Sequence, residues 1–116
     1  MSIHSIFSHV PYSKILAPVE VDTNVSGQHE FNGTVELKSL LGLDRRTIPA
    51  RFSLLGGSAV SEVNITWYDS RERDPNRSEH RLYFQTNPVM AMAAPGDCML
   101  IGFDNNNVLN FVLSRA

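Results

Sequence analysis

The chain has 116 residues, of which 42% are hydrophobic and 19% charged, with a formal net charge of −2. That is enough for one domain around a single modest core and too apolar for a disordered segment. No apolar run approaches the roughly 18 residues of a membrane span, so no membrane partner is expected, and the start MSIHSIFSHVPYSK lacks the basic and apolar parts of a secretory signal.

Tyr12 to Thr23 reads as a first strand through Ile15, Leu16, Val19 and Val21, with Pro18 at an edge or bend. The polar stretch NVSGQHEFNG follows, and its glycines at 27 and 33 mark an exposed loop. From Thr34 to Leu43 the apolar positions Val35, Leu37, Leu40, Leu41 and Leu43 approximate a helical stripe, with Thr34 as cap and Gly42 near the end. Arg45 and Arg46 come next, a solvated pair suited to a helix C-terminus.

A brief strand is expected over Arg51 to Leu55, then a turn at Gly56 and Gly57. Val60 to Tyr68 alternates, with Val63, Ile65 and Trp67 set against Glu62, Asn64 and Thr66, the clearest period of two in the chain. After the polar segment Asp69 to His80, the alternation returns in RLYFQT. Two strands joined by a long charged loop predict a hairpin with a projecting tip. Asn87 to Ala94 fits either a short helix or a buried strand, with its methionines filling core gaps. Strands are expected over Cys98 to Phe103 and Val108 to Leu113, separated by a turn from Asp104 to Asn107. The sum is six or seven strands with one or two short helices, in a closed or nearly closed barrel. There are no internal repeats and no low-complexity linker, so residues 1–116 read as a single domain.

Catalytic signals are sparse. The histidines His4, His9, His29 and His80 show no zinc-ligand spacing, and neither a phosphate-binding glycine loop nor a nucleophile elbow is present. Asp97 and Asp104 do not join other carboxylates in local sequence, as a metal-dependent nuclease would require. The expectation is a non-catalytic domain without a cofactor. The lone Cys98 cannot form an internal disulfide, which fits a reducing cytoplasm, and within CMLIGF it reads as a small core residue.

Charge distribution says more than the total. Eight arginines are present, and Arg71, Arg73, Arg77 and Arg81 fall within eleven consecutive residues, interleaved with Glu72, Asp74 and Glu79. The bland reading is a solvated loop of surface ion pairs worth about 0–1 kcal/mol each. Yet the cations are all arginine, whose flat fork matches phosphate and the O6/N7 edge of guanine, while a glutamate can accept from the cytosine amino group.

These same residues carry a resemblance. Trp67-Tyr68-Asp69-Ser70-Arg71 followed by Arg77-Ser78-Glu79-His80-Arg81 is similar to the N-terminal domain of EcoRII-type restriction endonucleases, in which a Tyr-Asn-Ser-Arg stretch leads into an Arg-Asn-Glu-Lys-Arg stretch. Ser26-Gly27-Gln28-His29 resembles that family's Gly-His-Gln loop, and the likeness runs over roughly residues 12 to 113. It implies a mainly β fold, a B3-like seven-stranded pseudobarrel of the kind found in plant transcription factors, in which two arms hold DNA across the major groove.

By this resemblance Ser26 to Asn32 forms one arm, with Gln28 or His29 on DNA, and Ser70 to Arg81 the other. Arg71, Glu79, His80 and Arg81 fall on DNA-contacting positions, with Arg77 beside them. Arg71, Arg81 and Glu79 are expected on base edges, Arg73 and Arg77 on phosphates. Pro75 and His80 stand where the family has lysines, and a CC/GG-containing target is the natural guess. The implied role is sequence-specific binding of double-stranded DNA in the bacterial cytoplasm, as an effector or target-recognition domain of a larger restriction endonuclease, with cleavage left to a separate nuclease domain of the same protein. The competing expectations are a β-barrel protein-interaction module with no nucleic-acid role, and a self-contained nuclease.

Overall fold

The computed structural model describes residues 6–21, 30–70 and 79–116. Its elements in chain order are β1 (Tyr12–Ile15), α1 (Pro18–Val21), β2 (Glu30–Asn32), α2 (Val35–Leu41), β3 (Arg46–Leu54), β4 (Val60–Asp69), β5 (His80–Phe84), α3 (Pro88–Met92), β6 (Cys98–Phe103) and β7 (Leu109–Ser114). The strands form one seven-stranded sheet in the order β1-β6-β7-β3-β4-β5-β2. Every pairing is antiparallel except that of β3 with β7. The expected mainly β fold is therefore present, as a sheet curled into a half-barrel with short helices.

Four phenylalanines report the curl. Phe52 stacks on Phe111 at 4.4 Å between centroids, and Phe31 lies 4.8 Å from Phe84. Phe31 belongs to the edge strand β2, yet its ring is only 6.1 Å from Phe111 in the middle of the sheet. Strands lie about 4.8 Å apart in a flat sheet, so four strand spacings can close to 6.1 Å only by bending. Trp67, Ile65, Leu82, Met99, Ile101 and Leu109 fill the same concave face.

The two edge strands are joined by a side chain. Glu20 is 2% exposed. One carboxylate oxygen accepts from Ala17 N at 2.9 Å, and the other accepts from Asn32 N at 3.1 Å and pairs with Lys14 Nζ at 2.9 Å. Lys14 belongs to β1 and Asn32 to β2, so this one carboxylate spans the gap between the sheet's ends.

This arrangement corrects the expected first strand. Extended backbone stops at Ile15, and Pro18 opens the single turn α1. Proline suits the first helical position because its missing N–H would have no partner there. Glu20, three residues past Ala17, returns its side chain to the Ala17 N–H, the acidic half of a capping box.

The second helix follows its sequence signals. Thr34 Oγ1 accepts from Leu37 N at 3.3 Å, and Gly42 ends the helix at φ 83°, a conformation costly for other residues. Only Leu37 and Leu41 are buried, while Val35 and Leu43 are exposed, so the apolar stripe is narrower than its spacing suggests. The ambiguous NPVMAMAA segment begins as helix: Asn87 Oδ1 caps Met90 N at 3.0 Å, with Pro88 at the first position.

The third strand starts five residues earlier than expected, at Arg46. Pro49 is tolerated within it because the β7 ladder begins only at the next residue, Ala50↔Leu109. At Pro49 the strand pairs with β4 alone, through Asn64.

Candidate nucleic-acid interface

The charged hairpin is built on β4 and β5, whose register ends with Tyr68↔Arg81 and Asp69↔His80. Beyond that rung the ends are clamped. Ser70 N and Ser70 Oγ both donate to Glu79 O, at 2.7 and 2.9 Å, and Glu79 N donates to Asp69 Oδ1 at 2.8 Å. The third strand of the ribbon is β2, paired as Asn32↔Arg81 and Glu30↔Tyr83. Gly33 N then donates to His80 O at 2.8 Å. An added Cβ on Gly33 would lie 2.4 Å from that carbonyl oxygen, so only glycine allows the approach.

Side chains on this ribbon divide by the period of two. Inward go Trp67, His80, Leu82 and Phe84, all buried. The His80 ring stacks on Trp67 at 4.9 Å, and its Nε2 donates to Leu43 O at 2.9 Å, which places a proton on that nitrogen because a carbonyl can only accept. Trp67 Nε1 donates to Gly42 O at 2.9 Å. Both rings thus tie the hairpin base to the end of α2. His80, expected on DNA, faces away from the surface that carries Arg81, and its observed part is packing.

Outward go Tyr68, Arg81, Tyr83, Glu30 and Asn32. Arg81 donates through Nη1 to Asn32 Oδ1 at 2.9 Å and through Nη2 to the Glu79 carboxylate, with which it forms an ion pair. About a third of its side chain remains exposed, and Glu79 is slightly more open. Two of the three residues expected on base edges, Arg81 and Glu79, are therefore coupled, with their donors and acceptors already oriented against each other.

Arg45 and Arg46, adjacent in sequence, part company. Arg46 Nη1 donates to Leu41 O at 3.2 Å, satisfying a carbonyl at the end of α2 as expected for a cation there. Arg45 is exposed and lies over the Tyr68 ring, 5.5 Å from its centroid. The Tyr68 hydroxyl donates to Glu30. Burial, followed by the Glu30 hydrogen bond and charge, pushes the Tyr68 pKa up to about 12 against the opposing pull of Arg81 and Arg45. Glu30, Arg45, Thr66, Tyr68 and Tyr83 line a shallow cleft of about 170 Å³. None of these five was among the residues expected on DNA, and Arg45 had been read as half of a solvated pair with Arg46. A period of two carried past Trp67 and Leu82 would have placed Tyr68, Arg81 and Tyr83 together on the outer face.

Gln28, His29, Arg71, Arg73 and Arg77 lie outside the described residues. A larger cleft of about 580 Å³ opens elsewhere, beside Arg51, Asp104 and Asn110. Asp104 is occupied there in its own turn: Oδ1 accepts from Asn106 N and Val108 N, and Oδ2 from Asn110 Nδ2. Among the described residues, no three or more His, Cys, Asp or Glu side chains gather where they could hold a metal ion, and no helix is long and apolar enough to cross a membrane.

No protein-family profile matches this chain, and no curated protein matches it in sequence.

Proposed function

We propose that this domain binds double-stranded DNA sequence-specifically through the major groove, with segment 70–81 as its principal contact and no catalytic step of its own. The observation that carries the reading is the clamped base of the hairpin. Segment 71–78, with the sequence RERDPNRS, enters and leaves through strands locked by Ser70, Glu79 and Asp69, and its three arginines are followed at once by the oriented Glu79–Arg81–Asn32 row.

Chemistry supports this assignment. A guanidinium whose planar fork is held by neighbours loses less side-chain entropy on meeting a base edge or a phosphate. Glu79 offers an acceptor for a cytosine amino group, and Arg81 offers donors for guanine O6 and N7. Arg73 and Arg77 supply phosphate contacts, Arg71 a further base contact, and Gln28 or His29 the second arm. His80 holds the base of the hairpin rather than touching DNA. The resemblance to EcoRII-type N-terminal domains extends the proposal to an effector or target-recognition role, with cleavage by a nuclease domain elsewhere in a longer protein.

A gel shift with a randomised duplex library at two salt concentrations tests the reading. We expect enrichment of one motif, affinity that falls steeply with salt, and relaxed preference at one base pair in Glu79→Ala, by about 1–3 kcal/mol. Absence of any shift at low salt, or a Glu79→Ala profile identical to that of the parent chain, would reject it.

A further inference from the structure

We infer that the outer face of β3, β4, β5 and β2 is part of the same DNA-binding surface, and that Arg45, seated on the Tyr68 ring, contacts a backbone phosphate there. The inference rests on the proposed function and adds a contact outside the hairpin segment.

Tyr68 and Arg81 are direct cross-strand partners, and Arg81 is in turn paired with Asn32. Arg45 immediately precedes the β3–β4 ladder, which opens at Arg46↔Trp67, and reaches back over Tyr68 from the other side. Tyr68 therefore stands between two guanidinium groups on one outward-facing row. With strands about 4.8 Å apart, the two arginine backbones are roughly 10 Å from each other across the row. One duplex lying against the ribbon base would meet both.

The chemistry of the cleft suits an anion bridging to solvent. Arginine stacked on an aromatic face keeps its edge donors free, and that edge is what phosphate oxygens use. The hydroxyls of Thr47 and Thr66 lie 3.1 Å apart on the adjacent row, and Tyr83 is 41% exposed beside them. Among the described lining residues Glu30 is the one acid, and its carboxylate is engaged by the Tyr68 hydroxyl. Glu30 thereby fixes the ring, and the ring fixes Arg45. Tyr68 is a positioning residue, while Arg45 touches the ligand.

Duplex binding measured as a salt titration separates the parts. Arg45→Ala changes an exposed residue, so its fold is safe to compare by thermal melting. It is expected to weaken binding about fivefold on every sequence and to lower the salt slope by about one, with base preference unchanged. Tyr68→Leu should mimic that loss, add nothing in the double variant with Arg45→Ala, and leave preference intact. Tyr68→Phe keeps the ring but loses the bond to Glu30 and frees that carboxylate, so it should weaken binding, by less than Tyr68→Leu does.

An Arg45→Ala protein with full affinity and an unchanged slope, while Arg73→Ala loses both, would overturn the inference and leave the function standing. So would a Tyr68→Leu loss that adds in full to that of Arg45→Ala. If the parent chain binds no duplex at any salt concentration, function and inference fall together.

Discussion

Tyr68 holds its proton against the solvent because burial disfavours the phenolate and a carboxylate accepts from the hydroxyl. The folded chain binds this proton more tightly than the unfolded one. Stability linked to it is therefore complete below the ordinary tyrosine value near 10 and is lost as pH rises towards about 12. A spectrophotometric titration should show one tyrosine ionising only near pH 12. Tyr68→Phe should abolish that late step and reduce the loss of stability seen in urea melts between pH 10 and 12. A late step that survives in Tyr68→Phe would assign the signal to another tyrosine. At this scale the sequence was legible in type rather than in direction. Arginine in place of lysine, and a glutamate among cations, marked the hairpin. Arg45 and Arg46 looked alike because nothing local says that one turns to Leu41 and the other to Tyr68.

Strands and helices were more readable where one signal dominated. The alternation of β4 and the Thr34 and Gly42 caps of α2 held because local preference and burial agree there. The first strand did not end where its apolar run ends. Glu20 turns the chain into α1 by binding Ala17 N, and its burial depends on Lys14 and on Asn32, twelve residues further on. Likewise His80 read as part of a polar loop, although it opens the inward series His80, Leu82, Phe84. Ribbon packing depends on close backbone approach as well as on side chains. Gly33→Ala should push β2 away from His80 O and destabilise the fold by about 1–3 kcal/mol. Denaturant melts measure that cost, and a shift of less than about 0.5 kcal/mol would mean the strand moves freely. The same substitution should weaken duplex binding in proportion to the displaced Asn32–Arg81 pair.

At the scale of the molecule, the sheet is closed by chemistry rather than by a ladder. Among the described strands β1 and β2 end the sheet without pairing to each other, and Glu20 joins them. Removing one partner of a buried ion pair leaves the other charge uncompensated, at a cost of about 3–5 kcal/mol. Glu20→Ala should lose stability in that range by urea unfolding, and Glu20→Gln less, because an amide oxygen can still accept one of the three contacts. A loss under 1 kcal/mol for Glu20→Ala would show that the core alone holds the curl. This closure was invisible in the sequence. A glutamate between two valines in a supposed strand gives no hint that both sheet edges converge on it.

The parallel pairing of β3 with β7 has an outcome in time as well as in space. On a ribosome the stretch from Arg46 to Phe84 emerges as neighbouring antiparallel partners, able to zip up while translation continues. Residues 109–114, which wedge between β6 and β3, leave the exit tunnel after every other strand described here. Until they arrive, β1 and β6 have no ladder to the rest of the sheet, and the Lys14–Glu20–Asn32 contact is what can link the two parts of the nascent polypeptide, whose greasy sides await one keystone. The ribbon of β4 and β5 is thus assembled early, and the half-barrel wall behind it is sealed last.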